Sequence, residues 1–549
     1  MIAAAGPAPR HARARLLLLL AGVGLWSSWF IFRSSFEADG KRVFCLFDDA
    51  MISMTYARNV LEGHGLNWAR MGQPVEGFSH PLWTASMIAV NALPLEPRLR
   101  SLPMQLLGLV IGLVNVLIVR RLMLRHFVSE RARWWMPAAI LTAFYQPLSY
   151  WSLMGMESSL QALLTTTSVL LALDIVYHGE DRHLELLAIL AAAYLLRMDM
   201  LLLALVVEGF VIGQGGLRRG RRRSWWLGLV CFAAAVGGYS LFRWLYFHEV
   251  LPNTYYLKLD GIPLAVRLLR GVKTFSWFAS DHLLLLAGVA IGVATLGWDA
   301  GRRDRRLLLP AAIFLVACGY DVYVGGDVWE KDTYMRANRF LVYVMPLVFV
   351  LFNALINRVV AARDSRRTVV RGPSGRDVTG DFFVALATTV AFLIANGLWL
   401  SSADPENWQA FAVLEPPYNA QSNGALYREV ARLRRMLAPG AVVATSWAGI
   451  PAFFTDFRMV DLFGYNERHI AHLPPATRLT IDNFEDFLPG HAKWDTGYVL
   501  RRYRPDAFVY FKSVPQFDLA SSLKAAGYVP SGSLWLRPEL ARTAPAGAP

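Results

Sequence analysis

Residues Leu102–Val119 read LPMQLLGLVIGLVNVLIV, eighteen positions without a charge, and Arg120, Arg121 and Arg125 follow. An apolar run of about that length is what the hydrocarbon core of a bilayer asks of a helix. Arginines gathered at one end are the pattern that orients a helix on insertion, with the basic end cytoplasmic. The same unit recurs along the chain. Leu16–Phe32, Trp225–Phe247, Leu283–Trp298 and Phe382–Leu400 are further apolar runs, and Arg218–Arg223, Arg302–Arg306 and Arg363–Arg376 are further basic clusters. The 549 residues are 55% hydrophobic and 17% charged, where a soluble average is about a quarter charged. The chain reads as an integral membrane protein.

The formal charge of +14 does not indicate nucleic acid. The basic residues lie in short segments between apolar runs rather than on one soluble face, so no nucleic-acid partner is expected. Three cysteines, Cys45, Cys231 and Cys318, provide neither a disulfide framework nor a paired CxxC metal site. Arg10, Arg13 and Arg15 precede the first apolar run as in a signal peptide, but no small-residue cleavage site follows, so that run is expected to be the first span.

Parity of the arginine clusters sets the expected topology. With the N-terminus cytoplasmic, residues 34–80 form an outer loop. Pro81–Leu95 is short and carries Pro94, with Pro97 just beyond. Counted as a span it would put Arg120, Arg121 and Arg125 outside, so an interfacial or re-entrant helix is preferred. Helices are then expected near 102–119, 134–150, 158–177, 184–197, 199–214, 225–247, 282–298, 307–322, 340–357 and 382–400, about eleven spans with the first. The expected fold is a membrane all-α domain over 1–400, placed in the cytoplasmic (inner) membrane, with residues 401–549 outside. That C-terminal part has helical spacing over Leu426–Leu437 and short β-rich runs at Ala441–Thr445 and Ala507–Phe511, the order of a small α/β domain. The basic stretch 358–380 and the tail after Arg542 are expected to be irregular.

Four segments carry candidate chemistry, all at outer helix ends. The first is Phe47-Asp48-Asp49-Ala50-Met51-Ile52-Ser53, leading into a helical pattern through Tyr56, Arg58, Asn59 and Glu62. Two acids there can simply cap a helix and complement its dipole. If Asp48 is the N-cap and Asp49 the first helical residue, the carboxylates diverge, and one can accept a proton while the other orients a positive group. The second runs from Gly72 to Trp83 and holds Glu76 and His80; a lone histidine is more often structural than a ligand. The third gathers Glu157, Arg197 with Asp199, and Asn253 to Lys258, charges near bilayer depth that need partners or a cavity. The fourth is Gly325-Gly326-Asp327 with Arg336 and Arg339, where guanidinium forks match phosphate oxygens; a surface loop with membrane-edge arginines is the plain alternative. No GxGxxG, P-loop, GxSxG or HExxH pattern occurs.

In order along the chain, DDAMISMTYARNVLEGHGLNW…GQPVEGFSHPLWT, GMESS, RMDM, PNTYYLK, GGD…RANRF and the late VVATSWAGIPAFF…MVDLFGYNERHIA…PGHAKWDTGYVL resemble the GT-C type membrane glycosyltransferases. Within that class the chain looks most like the branch of the mycobacterial terminal arabinofuranosyltransferases. The resemblance implies a GT-C-like bundle, a polyprenyl-phosphate sugar donor such as decaprenylphosphoryl-arabinofuranose, and inverting transfer at the outer face to an envelope glycan, lipid or protein. It implies a first-loop aspartate as general base, Asp48 by motif position with Asp49 supporting. Charge alone suggests Arg339, Arg336 and Lys258 for the lipid phosphate. Arg58, Glu76, His80, Glu157, Arg197, Asn253 and Asp327 complete the substrate-binding candidates. No cofactor is required, although a divalent cation near Asp48, Asp49 and Glu157 is compatible with the residue types. Rival classes are a lipid or sugar transporter or flippase, for which inverted repeats would be expected, and a scaffold that binds envelope polymers.

Overall fold

Without water in a bilayer core, a chain must satisfy its own backbone groups, and an apolar run does so by winding into a helix. The computed structural model describes residues 10–128, 134–217, 222–296, 305–329, 338–364, 378–398, 405–509 and 516–543. Within them each expected apolar segment is helical over most of its length. The helices are α1 (Arg10–Arg33), α2 (Asp48–Leu61), α3 (Pro81–Asn91), α4 (Leu102–Leu122), α5 (Met136–Ala143), α6 (Gln146–Leu153), α7 (Ser158–Leu173) and α8 (His183–Leu196). They continue with α9 (Leu201–Gly213), α10 (Arg222–Phe247), α11 (Asn253–Lys258), α12 (Leu264–Asp281), α13 (Leu283–Leu296), α14 (Leu308–Val324), α15 (Met345–Asp364) and α16 (Val378–Ala395).

Among the described residues, Arg13–Arg33, Pro97–Phe127, Ser158–His178, Arg223–Phe247 and Arg305–Val324 are long and apolar enough to cross a membrane. The pair α12 and α13, bent by 89°, makes a sixth if taken as one span, while His183–Leu196, Met345–Val360 and Phe382–Ala395 are shorter apolar helices. The helix expected near 134–150 is broken between α5 and α6. Pro147 stands in the first turn of α6 and has no N–H to continue a helix from α5. The eleven residues of α3 reach only about 16 Å, half a hydrocarbon core of about 30 Å, as an interfacial or re-entrant piece should. Helix α12 was not expected, because Arg267, Arg270 and Lys273 interrupt its apolar pattern. It turns Val266, Arg270, Gly271, Thr274 and Phe278 inward and packs along α14. A side chain at Gly271 would run into the Val322 carbonyl.

The loop after α1 opens with a hairpin of β1 (Phe36–Ala38) and β2 (Lys41–Val43). The C-terminal part holds α17 (Pro405–Ala412), α18 (Tyr418–Met436), β3 (Val442–Thr445), α19 (Ile450–Phe453), β4 (Arg458–Asp461), α20 (Arg468–Ala471), α21 (Thr496–Arg502), β5 (Ala507–Val509), α22 (Leu519–Ala525), β6 (Val529–Ser531) and β7 (Leu534–Leu536). One sheet has the order β4-β3-β5-β7-β6. Strand β3 is parallel to both neighbours, and β7 is antiparallel to β5 and β6. Its core gathers Ala444, Val460, Phe463, Phe508, Leu519 and Leu523. The fold is therefore a mostly helical bundle with several membrane-length apolar helices and a C-terminal α/β domain, as expected. Of the basic stretch 358–380 expected to be irregular, residues 358–364 close α15 and 378–380 open α16; residues 365–377, residues 510 and 511 of the second β-rich run, and the tail over 544–549 lie outside the described residues.

Candidate active site

The double acid decides where the site lies. Phe47, not Asp48, is the N-cap of α2. Its carbonyl already accepts the Met51 N–H at 3.0 Å, and its ring is wedged between Trp151 and Trp329. Asp48 and Asp49 are consequently both in the first helical turn, where the helix dipole favours acids, and they point about 100° apart. The buried Asp48 carboxylate accepts from the backbone N–H groups of Gly449 (3.1 Å) and Ile450 (2.9 Å). Only glycine permits this approach, since a Cβ at Gly449 would collide with the Asp48 carbonyl. Burial pushes the Asp48 carboxyl up to about 7 against the pull of those two amides. Asp48 thus anchors the C-terminal domain, whereas Asp49 lines a cavity of about 220 Å³.

This cavity brings together seven of the expected residues: Asp49, His80, Glu157, Arg197, Lys258, Asp327 and Arg339. Arg339 spans two acids. It donates to Asp49 Oδ2 at 2.7 Å, and to Asp327 through Nε at 3.0 Å and a terminal nitrogen at 3.2 Å. Gly325 and Gly326 bring Asp327 there with φ of 91° and 73°, values that glycine adopts freely. Burial disfavours the Asp327 carboxylate, but Arg339 outweighs it and holds the group below its ordinary range. Arg197 makes a parallel bridge, to Glu157 at 2.9 Å and to both Asp199 oxygens at 2.9 and 3.1 Å. His80 Nε2 and Ser53 Oγ share a hydrogen bond of 2.8 Å, and Nδ1 turns toward Glu157 at 3.7 Å. Burial lowers the imidazole's affinity for a second proton.

Lys258 differs from the other cations. Its ammonium lies 5.3 Å from the ring centre of Tyr465 and forms no ion pair among the described residues. Burial first, then the neighbouring Arg339, lowers it to about 8, with Asp49 and Asp327 pulling the other way. The second oxygen of Asp49 is likewise without a hydrogen bond among the described residues. The cavity therefore offers an available carboxylate oxygen and an available ammonium, flanked by guanidinium groups already committed to acids.

Four candidates lie elsewhere. Asp48 is accounted for above. Arg58 donates to the carbonyls of Phe453 and Thr455 and is buried under the C-terminal domain. Glu76 is buried against Arg243 and accepts the Tyr239 hydroxyl at 2.6 Å. Asn253 donates to the carbonyls of Gly464 (2.7 Å) and Tyr465 (2.9 Å), fixing the start of α11. These contacts hold the surroundings in place, and none of the four residues lines the cavity. Arg336 lies outside the described residues. The cation considered near Asp48, Asp49 and Glu157 finds no shared ligand set, because Asp48 faces away and the other two carboxylates are engaged by different arginines. Among the described residues the one group with metal-ligand spacing is His126, Asp174 and His178, outside this cavity.

A family model described as Domain of unknown function (DUF8728) matches residues 412–545, the stretch that holds α18 and the five-stranded sheet. No curated protein matches the chain. Among solved structures it is similar to ArnT from Cupriavidus metallidurans in the apo state, with 12% identity, 83% of this chain and 87% of that chain covered, and a TM-score of 0.46. Likeness at that level says nothing of what this chain binds or does.

Ser53, Tyr320, Tyr465 and Pro489 also line the cavity and were not candidates. Tyr465 and Pro489 fall in the late motifs GYNERHIA and PGHAKW, so their signal was present without a place to put it. Arg243 was missed inside the apolar run of α10. A lone arginine at bilayer depth is itself a signal for a buried acidic partner, here Glu76.

Proposed function

We propose that this chain is a membrane glycosyltransferase of the GT-C type, inverting, with a polyprenyl-phosphate sugar as donor and an envelope glycan, lipid or protein as acceptor. Arabinofuranose is the sugar that the sequence resemblance favours. The supporting observation is the single cavity in which the available oxygen of Asp49 and the available ammonium of Lys258 share Arg339 as neighbour. In this mechanism Asp49, rather than Asp48, takes the proton of the acceptor hydroxyl as its oxygen attacks the anomeric carbon. The bond from that carbon to the phosphate oxygen breaks, and the lipid phosphate leaves with the electron pair. Lys258, with Arg339 and Arg197 beside it, meets the charge that develops there. The sugar is already activated, so no nucleotide is consumed. Arginine parity supports an orientation with the cavity and C-terminal domain outside, and an inner-membrane location goes with the proposed donor.

Purified protein is given radiolabelled polyprenyl-phosphate sugars and candidate acceptors, wild type against Asp49→Asn. Transfer by the wild type that collapses in a folded Asp49→Asn protein is the expected result. Unchanged transfer in that variant removes Asp49 as base. Absence of transfer from every such donor, with transport of one instead, overturns the enzyme in favour of a transporter.

A further inference from the structure

A second and larger recess lies behind the candidate active site. It measures about 930 Å³ against 220 Å³ for the cavity. Its floor is the edge strand β4, one bank is the outer loop from Ala69 to Val75, and the other is α20 with the end of α21. Aromatic rings are fixed along that second bank. His469 stacks on Tyr498 with ring centres 4.0 Å apart, and His472 stacks on Tyr256 at 4.2 Å. The hydroxyls of Tyr498 and Tyr503 both donate to Glu467 Oε1 at 3.1 Å, while Glu467 Oε2 accepts the Ile470 N–H at 2.8 Å. The rings are thus held before any ligand arrives.

The two recesses share a wall. Val75 and Asn466 line the groove, and Gly77 and Tyr465, one or two residues away in the chain, line the cavity. Tyr56 ties this wall together, its hydroxyl lying 2.5 Å from the Val75 carbonyl and 3.0 Å from Asn466 Oδ1 and accepting from the Gly77 N–H at 2.9 Å.

We propose that this groove is a binding site for a neutral glycan chain, the non-reacting length of a sugar acceptor, an assignment that rests on the glycosyltransferase function above. A sugar ring has an apolar C–H face and a rim of hydroxyls. Fixed aromatic faces with Met71, Val75 and Leu473 suit the first, and Gln73, Arg458 and Arg502 suit the second. Charge favours an anion only weakly, since Arg502 alone of the groove's arginines is without an acidic or carbonyl partner among the described residues. Arg468 and His472 are turned to Glu249, Arg458 is bonded to the Gly440 carbonyl, and the carboxylates of Asp461 and Glu467 lie beneath. Strand addition by a peptide is obstructed, because the Met459 N–H on edge strand β4 already donates to the Ala69 carbonyl at 3.2 Å.

The test uses the full chain in nanodiscs, titrated calorimetrically with neutral linear glucan, mannan and arabinan oligosaccharides of increasing length, an acidic oligogalacturonate and an extended peptide. Tyr498→Ala removes a stacking face. Gln73→Trp fills the groove from the exposed loop bank without touching the core. Neutral oligosaccharide binding that strengthens with length and falls tenfold or more in both variants supports the site. So does a matching rise in KM for a long acceptor while kcat and the KM of a short acceptor stay put. Wild-type protein that binds none of the neutral series, prefers the acidic or peptide probe, or binds as well after both substitutions overturns it. Transfer without glycan binding removes the groove and leaves the enzyme; glycan binding without transfer from any donor removes the enzyme and leaves the groove.

Discussion

Helix α7 carries a charged cluster at each end, roughly 25 Å apart by helical rise. At its C-terminal end Asp174 is fully buried. Its Oδ1 accepts from Arg125 and from His126 at 2.9 Å, and its Oδ2 from Arg182 at 3.3 Å. Arg125 and Arg182 extend to Glu180 and Glu185. At the N-terminal end Glu157 meets Arg197 at 2.9 Å, and beyond it the cavity holds an oxygen of Asp49 and the Lys258 ammonium, both without a polar partner among the described residues. The same residue types are used at both ends. Where both oxygens of the buried carboxylate are taken, as at Asp174, charge ties helix ends together; where an oxygen and an ammonium stay open beside a cavity, charge can act on a ligand. Counting charges does not separate these cases, whereas asking which open groups line a cavity does.

The sharpest way to break that contrast is Asp49→Asn. Sugar transfer by the folded protein should fall about 10²- to 10⁴-fold, the range for loss of a general base, with its thermal unfolding little changed. At the other end, Asp174→Asn should reverse the pattern. Two arginines lose a buried counter-charge at a cost of about 3 kcal/mol, seen as a lowered unfolding midpoint, while turnover of the folded fraction stays at wild-type level. A large fall in turnover there would undo the distinction.

Asp48→Asn separates the neighbouring acids. Replacing a carboxylate that accepts two backbone N–H groups should cost about 2 kcal/mol and loosen the C-terminal domain from α2, read as faster limited proteolysis with transfer largely kept. The smallest effect is expected from pH. Lys258 is lowered to about 8, so its ammonium is present below that value and lost as pH rises through it. Donor KM should accordingly rise on the alkaline side, and Lys258→Arg, which stays charged, should flatten that limb.

The helical segments were legible because each is announced locally, by apolar length and by arginines at its ends. Most of the cavity was legible too, since charges at helix ends near a bilayer are costly without a role. Helix α12 escaped because its arginines face inward, toward the Gly325 and Asp327 carbonyls in the case of Arg270, which masks the apolar pattern. Arg58, Glu76 and Asn253 have the composition of a site and turned out to hold loops and domains in place. Nothing within their own segments distinguishes the two roles, because their partners lie far along the chain, at Phe453, Arg243 and Gly464.

By itself the sequence determined that the chain belongs in a membrane, where most of its helices run, and that the polar residues worth attention sit at helix ends. Those are properties of short stretches and of the transfer of apolar residues out of water. Only the tertiary structure decided which of two adjacent aspartates serves the cavity. Both stand in the first turn of α2, and the choice follows from Gly449, 401 residues away, whose N–H meets Asp48. It also decided that Arg339 and Arg197 are committed to acids while Lys258 has no acidic partner among the described residues, since commitment depends on which groups the fold brings within hydrogen-bond reach.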